Sequence, residues 1–197
     1  MEQNVSMKIN ELPSPTWNWL KVNETPIKWS NKIEPCEIAA EGDAVATETE
    51  QLSDIETGAG READAIFATE NTAKYQILAD NAGQDKTVRL HISGKKDAHT
   101  AGCVEIVAKE NSTLTVVMDS RVAPDATKEE DSTAEASLAV RVRMKVESGA
   151  SVRLVQVQMP QEHETLLSDI GGNLIGEGAK VCLLYTSDAA DDLTRVD

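Results

Sequence analysis

The sequence predicts a mainly β protein: a right-handed parallel β-helix (incomplete) preceded by a small irregular/α N-terminal region. Three observations lead to this fold class. After about Asp85, apolar residues recur at every second position, which is the period of a half-buried strand. The turns between these runs resemble one another, as in proteins built from stacked repeats. Aromatic residues make up only 3% of the chain, so we expect a core of small and β-branched side chains. A β-sandwich is the competing all-β fold.

Four runs show the strand period most clearly. In each run, apolar residues that should face the core alternate with residues that should face solvent. The expected core residues are Val88, Leu90, Ile92, Val104, Ile106, Ala108, Leu114, Val116, Met118, Val140, Val142, Met144 and Val146. The charged residues between them, such as Arg89, Arg141, Arg143 and Lys145, are expected on exposed outer faces.

The segments before the strands share a pattern in which Asn, Ser or Gly precedes a small residue and then an apolar strand start. The pattern occurs at residues 110–114, 147–152 and 176–181, with a weaker copy at residues 70–75. Aligning Ala73, Ser112, Ala150 and Ala179 gives spacings of 39, 38 and 29 residues, which we interpret as about two rungs of the β-helix each. Asn and Gly suit such corners because they tolerate a positive φ.

The chain is expected to divide into three parts. Residues 1–70 form the N-terminal region, with a Trp-containing segment, a short helical turn capped by Thr16 and an acidic linker. This region should end in a short helix over residues 61–69, with Ala63, Ile66 and Phe67 on one side. Residues 71–181 form the partial β-helix core, and residues 182–197 form a tail outside the fold.

The net charge and the distribution of apolar residues restrict the classes of partner that the chain can bind. The net charge of −15 disfavours nucleic acid and anionic membranes, because both need a basic surface. The first ten residues lack the apolar stretch of a secretory signal, and no apolar run is long enough to span a bilayer. Three scattered cysteines do not form a disulfide framework. We therefore expect a cytoplasmic protein that binds neither nucleic acid nor a membrane.

No complete catalytic or metal site is predicted. His91 should lie on the exposed face of its strand, and His99 and His163 should lie in loops. His163 stands between two glutamates, but one imidazole falls short of a three- or four-ligand metal site. Cys103 should be a buried structural thiol, and Cys36 follows Pro in a loop without a CxxC partner. We therefore assign no catalytic, cofactor-binding or metal-binding residue and no cofactor to this chain, and we expect that it is not an enzyme.

Five segments resemble the SufB/SufD family of iron–sulfur cluster assembly proteins and occur in the order that the family has. They are residues 9–24 (INELPSPTWNWLKVNE), 87–92 (TVRLHI), 106–118 (IVAKENSTLTVVM), 150–158 (ASVRLVQVQ) and 169–172 (DIGG). The resemblance covers roughly residues 7–181 and implies a right-handed parallel β-helix behind a smaller N-terminal region. The short N-terminal region favours a SufD-like over a SufB-like member.

The resemblance implies a scaffold role. In the family, SufB and SufD pair with each other and with the ATPase SufC, and an iron–sulfur cluster is assembled near the SufB–SufD interface. The intact protein would therefore have a SufB-like paralogue and a SufC-like ATPase as partners. The family's assembly cysteine and histidine, and its SufC-binding helices, lie beyond the part that this chain matches. No cluster-site residue can therefore be carried over to this sequence.

The family pattern ends at Val181. The following residues, CLLYTS, are what the bases TGT CTC TTA TAC ACA TCT encode, and these resemble a transposase mosaic end used in sequencing libraries. The next residues, DAAD, resemble an adapter. We therefore hypothesise that residues 182–197 are a non-native tail on a truncated reading frame; a natural polar tail is the alternative.

Two other functions stay open at this stage. One is a polysaccharide-acting β-helix enzyme, which the missing secretory signal and the scarcity of aromatic residues disfavour. The other is an acidic structural domain without specific chemistry. Turnover of an acidic polysaccharide would favour the enzyme, whereas a neighbouring gene for an ABC-type ATPase would favour the scaffold.

The first prediction concerns the stability of the chain as written. A β-helix interrupted between rungs exposes unpaired backbone groups and one end of its apolar interior, and a 16-residue acidic tail covers little of it. We expect the purified chain to be marginally stable or to aggregate, as measured by light scattering during thermal unfolding. A cooperative melt of a monomer would contradict this expectation.

Overall fold

The computed structural model describes residues 4–9, 25–43, 52–68, 70–80, 82–122, 136–161 and 164–187. These residues contain twelve strands, a 3-10 turn at Arg61–Ala63 and one helix, α1, at Asp64–Phe67. The strands are β1 Asn4–Ile9, β2 Thr25–Ser30, β3 Glu34–Pro35, β4 Glu37–Gly42, β5 Ala73–Ala79, β6 Asp85–Ser93, β7 His99–Ala108, β8 Thr113–Arg121, β9 Ala136–Val146, β10 Ser151–Gln158, β11 Glu164–Leu174 and β12 Lys180–Ser187. The predicted mainly β class is confirmed. No helix among these residues is long and apolar enough to cross a membrane.

Two five-stranded sheets account for most of the structure. Sheet 1 has the order β4-β6-β8-β10-β12, and sheet 2 has the order β3-β7-β9-β11, with β5 also pairing with β7. From β5 onward, successive strands alternate between the two sheets, and every pairing among them is parallel. Each repeat of the chain therefore contributes one strand to each sheet.

The register corrects the repeat that the sequence suggested. In sheet 1, Asp85, Thr113, Ser151 and Lys180 are paired neighbours, so the successive repeats are 28, 38 and 29 residues long. The predicted spacings of 38 and 29 residues therefore each correspond to one repeat, which adds one strand to each sheet, and not to two rungs. The alignment of Ala73 with the other turns was also wrong, because Ala73 begins a strand of sheet 2.

One residue with a positive φ begins each repeat of sheet 1. Gly83, Asn111, Gly149 and Gly178 have φ values of 79°, 57°, 67° and 75°, and each stands two residues before its strand. The predicted use of Asn or Gly at these corners is confirmed. Backbone hydrogen bonds link consecutive corners: the Asn111 amide donates to the Ser148 carbonyl, and the Gly149 amide donates to the Glu177 carbonyl.

The main core lies between the two sheets. All thirteen residues that the sequence assigned to the core are buried in it, including Val88 from sheet 1 and Val104 from sheet 2. Aliphatic side chains fill this space, as the scarcity of aromatic residues predicted. Burying each side chain of this size contributes about 1.5–3 kcal/mol.

The N-terminal region is more strand-rich than predicted. β1 and β2 form an antiparallel pair, β4 pairs antiparallel with β6, and β3 pairs with β7, so this region extends both sheets. The predicted helix over residues 61–69 is shorter, but its apolar side is correct, since Ala63, Ile66 and Phe67 are buried. The turn predicted at Thr16 lies outside the described residues.

A second apolar cluster covers the outer face of sheet 2. It joins Ala101, Cys103, Ala139 and Leu167 of the sheet to side chains of the N-terminal region. The N-terminal members are Met7, Ile9, Trp29, Ile33, Ala59, Ala63, Ile66 and Phe67. The outer face of sheet 2 is therefore a buried surface, whereas the sequence predicted exposed outer faces.

The last repeat has the exposed apolar surface. Among the described residues, the large apolar side chains that are exposed are Met159, Leu174, Ile175, Leu183, Leu184 and Tyr185. β12 continues to Ser187 and pairs with β10 along its whole length, so the strand does not stop at Val181, where we placed the end of the fold. The origin of residues 182–197 stays a prediction.

A pair of glycine variants tests the role of the corners. Gly83→Ala places a Cβ in open space, so we expect only the cost of a left-handed backbone, about 1–2 kcal/mol. Gly149→Ala adds an overlap with Oδ1 of Asn111, so its loss of unfolding free energy should be clearly larger. Urea unfolding followed by circular dichroism measures both. Equal losses for the two variants would contradict the packing of consecutive corners.

Candidate functional site

The histidines lie on separate surfaces. His91 is on the outer face of sheet 1, as predicted, with its ring nitrogens 3.8 Å from a Glu41 oxygen and 3.7 Å from an Asp119 oxygen. His99 begins β7 instead of lying in a loop; its Nδ1 contacts Oγ of Ser137, and its ring centroid is 5.8 Å from that of Trp29. His163 lies outside the described residues. No described pair of histidines therefore shares a site.

Two of the three cysteines, Cys36 and Cys103, lie on opposite faces of sheet 2. Cys36 packs over Gly102 in the core between the sheets, where burial raises the pKa of its thiol to about 12. Cys103 follows Gly102 in β7 and therefore points to the outer face, into the second cluster. Its burial agrees with the predicted structural thiol. Cys182 in β12 is exposed.

Two rows of side chains cross the outer face of sheet 2, because parallel pairing in register aligns equivalent residues of neighbouring strands. The Cys103 row consists of Lys74, Cys103, Arg141 and Asp169, on β5, β7, β9 and β11. The Glu105 row, two residues further along each strand, consists of Gln76, Glu105, Arg143 and Gly171. The register of the two rows thus brings together five charged residues and a thiol from four strands of the sheet.

Arg141 and Asp169 form a buried ion pair in the Cys103 row. Their side chains are 3% and 0% exposed, and Nε of Arg141 donates to Oδ2 of Asp169 over 2.7 Å. Nη1 of Arg141 lies 2.8 Å from Oδ1 of Asp64, and its guanidinium carbon lies 4.1 Å from the ring centroid of Phe67. Nη2 is buried and has no hydrogen-bond partner among the residues that the structure describes. The charge of Arg141 is thus neutralised by two carboxylates, one from the sheet and one from the N-terminal region.

Residues 52–68, which we call the strap, cross the outer face of sheet 2 and contact both rows. Asp169 accepts hydrogen bonds from the Thr57 hydroxyl over 2.7 Å and from the Ala59 amide over 2.8 Å. At the start of the strap, the Leu52 amide donates to Glu105 over 3.3 Å. These polar contacts hold a segment that is not itself a strand of either sheet.

Further contacts fix the middle of the strap against the Glu105 row. Nε of Arg143 donates to the Ile55 carbonyl over 3.2 Å. A Cβ built on Gly171 would overlap the carbonyl oxygen of Glu56, so this position requires a glycine for the strap to approach. The DIGG segment that contributed to the family resemblance therefore supplies both Asp169 and Gly171 to the strap contact.

A polar cavity of about 350 Å³ lies between the strap and the sheet. Its lining includes the two guanidiniums of Arg61 and Arg143 and the three carboxylates of Asp54, Glu56 and Asp64. Opposite charges line it in nearly equal number, so the lining selects neither an anion nor a cation. Within the described residues, no group of three or more His, Cys, Asp or Glu side chains is placed to hold a metal ion.

Comparison of the chain with protein-family models, with curated proteins and with solved structures found no match.

Sequence reasoning missed the Arg141–Asp169 pair. Alternation predicts that Arg141 lies on an outer face, which is correct, but it also predicts that this face is exposed, whereas Arg141 is buried. Burial of that face depends on the strap, which lies more than 70 residues earlier in the chain. One signal was present in the sequence: Asp169 stands in a partly apolar strand two residues before a pair of glycines, which mark a close backbone approach.

Two isosteric variants compare the buried and the exposed carboxylate that pair with Arg141. Asp169→Asn leaves the Arg141 charge buried without its main partner, so we expect a loss of about 3–5 kcal/mol in unfolding free energy. Asp64 is 57% exposed, so Asp64→Asn should cost less than about 1 kcal/mol. Chemical unfolding monitored by circular dichroism measures both values. Similar losses for the two variants would contradict the conclusion that Asp169 is the main partner of Arg141.

Proposed function

We propose that this chain is part of a SufD-like scaffold subunit for iron–sulfur cluster assembly and that its two parallel sheets form a right-handed β-helix. The alternation of strands between the sheets supports the fold, since each parallel pair in one sheet is connected through a strand of the other. Connections between parallel strands of one sheet are right-handed in about 98% of cases. We therefore expect the helical path of the chain to be right-handed.

The observation that carries the functional proposal is the ordered set of family-like segments. Residues 87–92 lie in β6, residues 106–118 run from β7 into β8, residues 150–158 include all of β10, and residues 169–172 lie in β11. These segments thus occupy consecutive repeats. Residues 169–172 also supply the contacts that hold the strap, so this part of the resemblance falls on residues with a structural reason to be retained.

A scaffold role agrees with the placement of the reactive side chains. The described thiols and imidazoles are distributed over the core, the outer face of sheet 2 and the outer face of sheet 1. A nucleophilic mechanism needs a base next to its nucleophile and access for a substrate. Nδ1 of His99 contacts the hydroxyl of Ser137, but Ser137 is buried and therefore closed to a substrate. In the family, the cluster is cargo assembled between subunits, so the role of this chain would be to bind partners.

The proposal predicts the gene neighbourhood and a complex. A long sequencing read through the locus should show a frame that continues beyond the codon for Val181 into further alternating strands, beside a gene for an ABC-type ATPase. The protein encoded by that frame, produced together with the SufB-like and SufC-like proteins of the same genome, should elute with them in size-exclusion chromatography.

Two results would reject this function. One is a genome that encodes residues 182–197 as written and carries no SufC-like gene near the locus. The other is a folded, purified protein that elutes apart from both partners. Turnover of an acidic polysaccharide by the same preparation would favour the β-helix enzyme instead. A folded variant with Gly172→Ala serves as a control for preparation quality, since the atoms nearest to its added Cβ belong to Met144 and lie at ordinary distances of 3.7–3.8 Å.

A further inference from the structure

The cavity between the strap and sheet 2, which we call the strap cavity, has the size of a small-molecule site. Its volume of about 350 Å³ falls within the range of roughly 300–1,000 Å³ that is typical of ligand pockets. The strap forms most of the lining, and Arg143 on β9 contributes to it from the sheet. Among the described lining residues, only Ile55 has a large apolar side chain. A ligand of this cavity should therefore be small and polar.

Arg143 contributes a guanidinium that no carboxylate of the described residues neutralises. Its Nε donates to the Ile55 carbonyl over 3.2 Å, which fixes the side chain against the strap. The carboxylate next to it in register, Glu105 on β7, already accepts hydrogen bonds from the Gln76 side chain and the Leu52 amide. The two terminal nitrogens of Arg143 are thus left as donors, and a guanidinium suits a carboxylate because it can donate two parallel hydrogen bonds.

The other arginine on this face of β9 shows the contrast. Arg141 lies two residues earlier on the same strand, and it pairs with both Asp169 and Asp64. Arg143 forms no ion pair within the described part of the chain, yet it is the arginine of this strand that lines the cavity. The fold therefore neutralises one arginine with its own carboxylates and leaves the charge of the other facing the cavity.

The cavity also has a second cation and two carboxylates that are not neutralised by each other. Arg61, Asp54 and Glu56 line it, and none of the three forms an ion pair with a described residue. Opposite charges attract at short range, so charges that share a small cavity without pairing are held apart by the backbone that carries them. A ligand with one negative and one positive group can contact both kinds of charge at once.

We propose that the strap cavity binds a small zwitterion of the α-amino acid class. The carboxylate of the ligand accepts hydrogen bonds from Arg143 and Arg61, and its ammonium group donates to Asp54 and Glu56. A lining with nearly equal numbers of opposite charges suits such a ligand, whereas a simple anion or cation would be repelled by part of it. This site goes beyond the proposed scaffold role and does not depend on it.

The first measurement uses L-serine as the probe, because its side chain is small and polar. Titration of the folded, isotope-labelled chain, followed by nuclear magnetic resonance, should shift the amide signals of residues 53–57 and the Nε signal of Arg143. Acetate and methylammonium each carry one of the two charges of the probe. At the same concentration, each should bind about tenfold more weakly or less, because it loses one set of charge-assisted hydrogen bonds.

Two arginine variants provide a matched test of the site. Arg143→Gln removes the guanidinium and should raise the Kd for L-serine by about tenfold or more. Arg153 is an exposed arginine on β10, in the other sheet, so Arg153→Gln should bind L-serine as the wild type does. Circular dichroism establishes that each variant is folded. Should Arg143→Gln not fold, Arg61→Gln removes the exposed cation of the cavity and should also raise the Kd.

Three results would overturn the proposal. The first is the absence of any shift with L-serine, and the second is an equal response to acetate alone, which would make the cavity an anion site. The third is an unchanged Kd in the folded cavity variant, or an equal rise in Arg153→Gln, because L-serine would then bind elsewhere or respond only to net charge. Failure of the scaffold proposal is recognised separately, by a folded protein that elutes apart from its partners.

Discussion

The parallel register of consecutive repeats is the constraint on which the rest of the structure depends. Because side chains alternate with a period of two, a slip of one residue would move every core residue to an outer face. The left-handed corners at Gly83, Asn111, Gly149 and Gly178 start the four parallel strands of sheet 1 at equivalent points. The same register aligns the Cys103 row across sheet 2, so the core and the candidate site have one common cause.

The local sequence pattern is enough to predict which residues form the core, but not that the outer face of sheet 2 is buried. Alternation identified the core residues, since that rule depends only on strand geometry. It also placed Arg141 on the correct face, but no local pattern indicates that Asp64, Phe67 and Asp169 will cover that residue. The strands of the N-terminal region were missed for a similar reason: β3 has two residues, and β4 is defined by its pairing with β6. The corner at residue 83 was missed because Gly83 is followed by Gln and not by a small residue.

The ion pair beneath the strap is better explained by positioning than by stability. Replacing a buried pair with apolar residues is often neutral or stabilising, because desolvation of the charges offsets their attraction. Removal of one partner is costly, however, and in this placement the strap supplies Asp64 to Arg141 and two hydrogen-bond donors to Asp169. The single Phe of the chain also lies over Arg141, which adds a second requirement at the same point. The contacts of Arg141 with Asp64, Asp169 and Phe67 therefore specify where the strap docks. Gly171 allows the strap backbone to approach sheet 2 closely.

The distribution of charge bears on which surfaces can recognise partners. The described residues carry 16 Lys and Arg against 19 Asp and Glu, whereas the whole chain carries 19 against 34. Most of the excess negative charge therefore belongs to segments outside the described strands. The argument against nucleic acid from net charge consequently rests mainly on those segments and only weakly on the sheets. Recognition of a partner through the sheets must therefore depend on the local arrangement of their exposed side chains and not on the net charge of the chain.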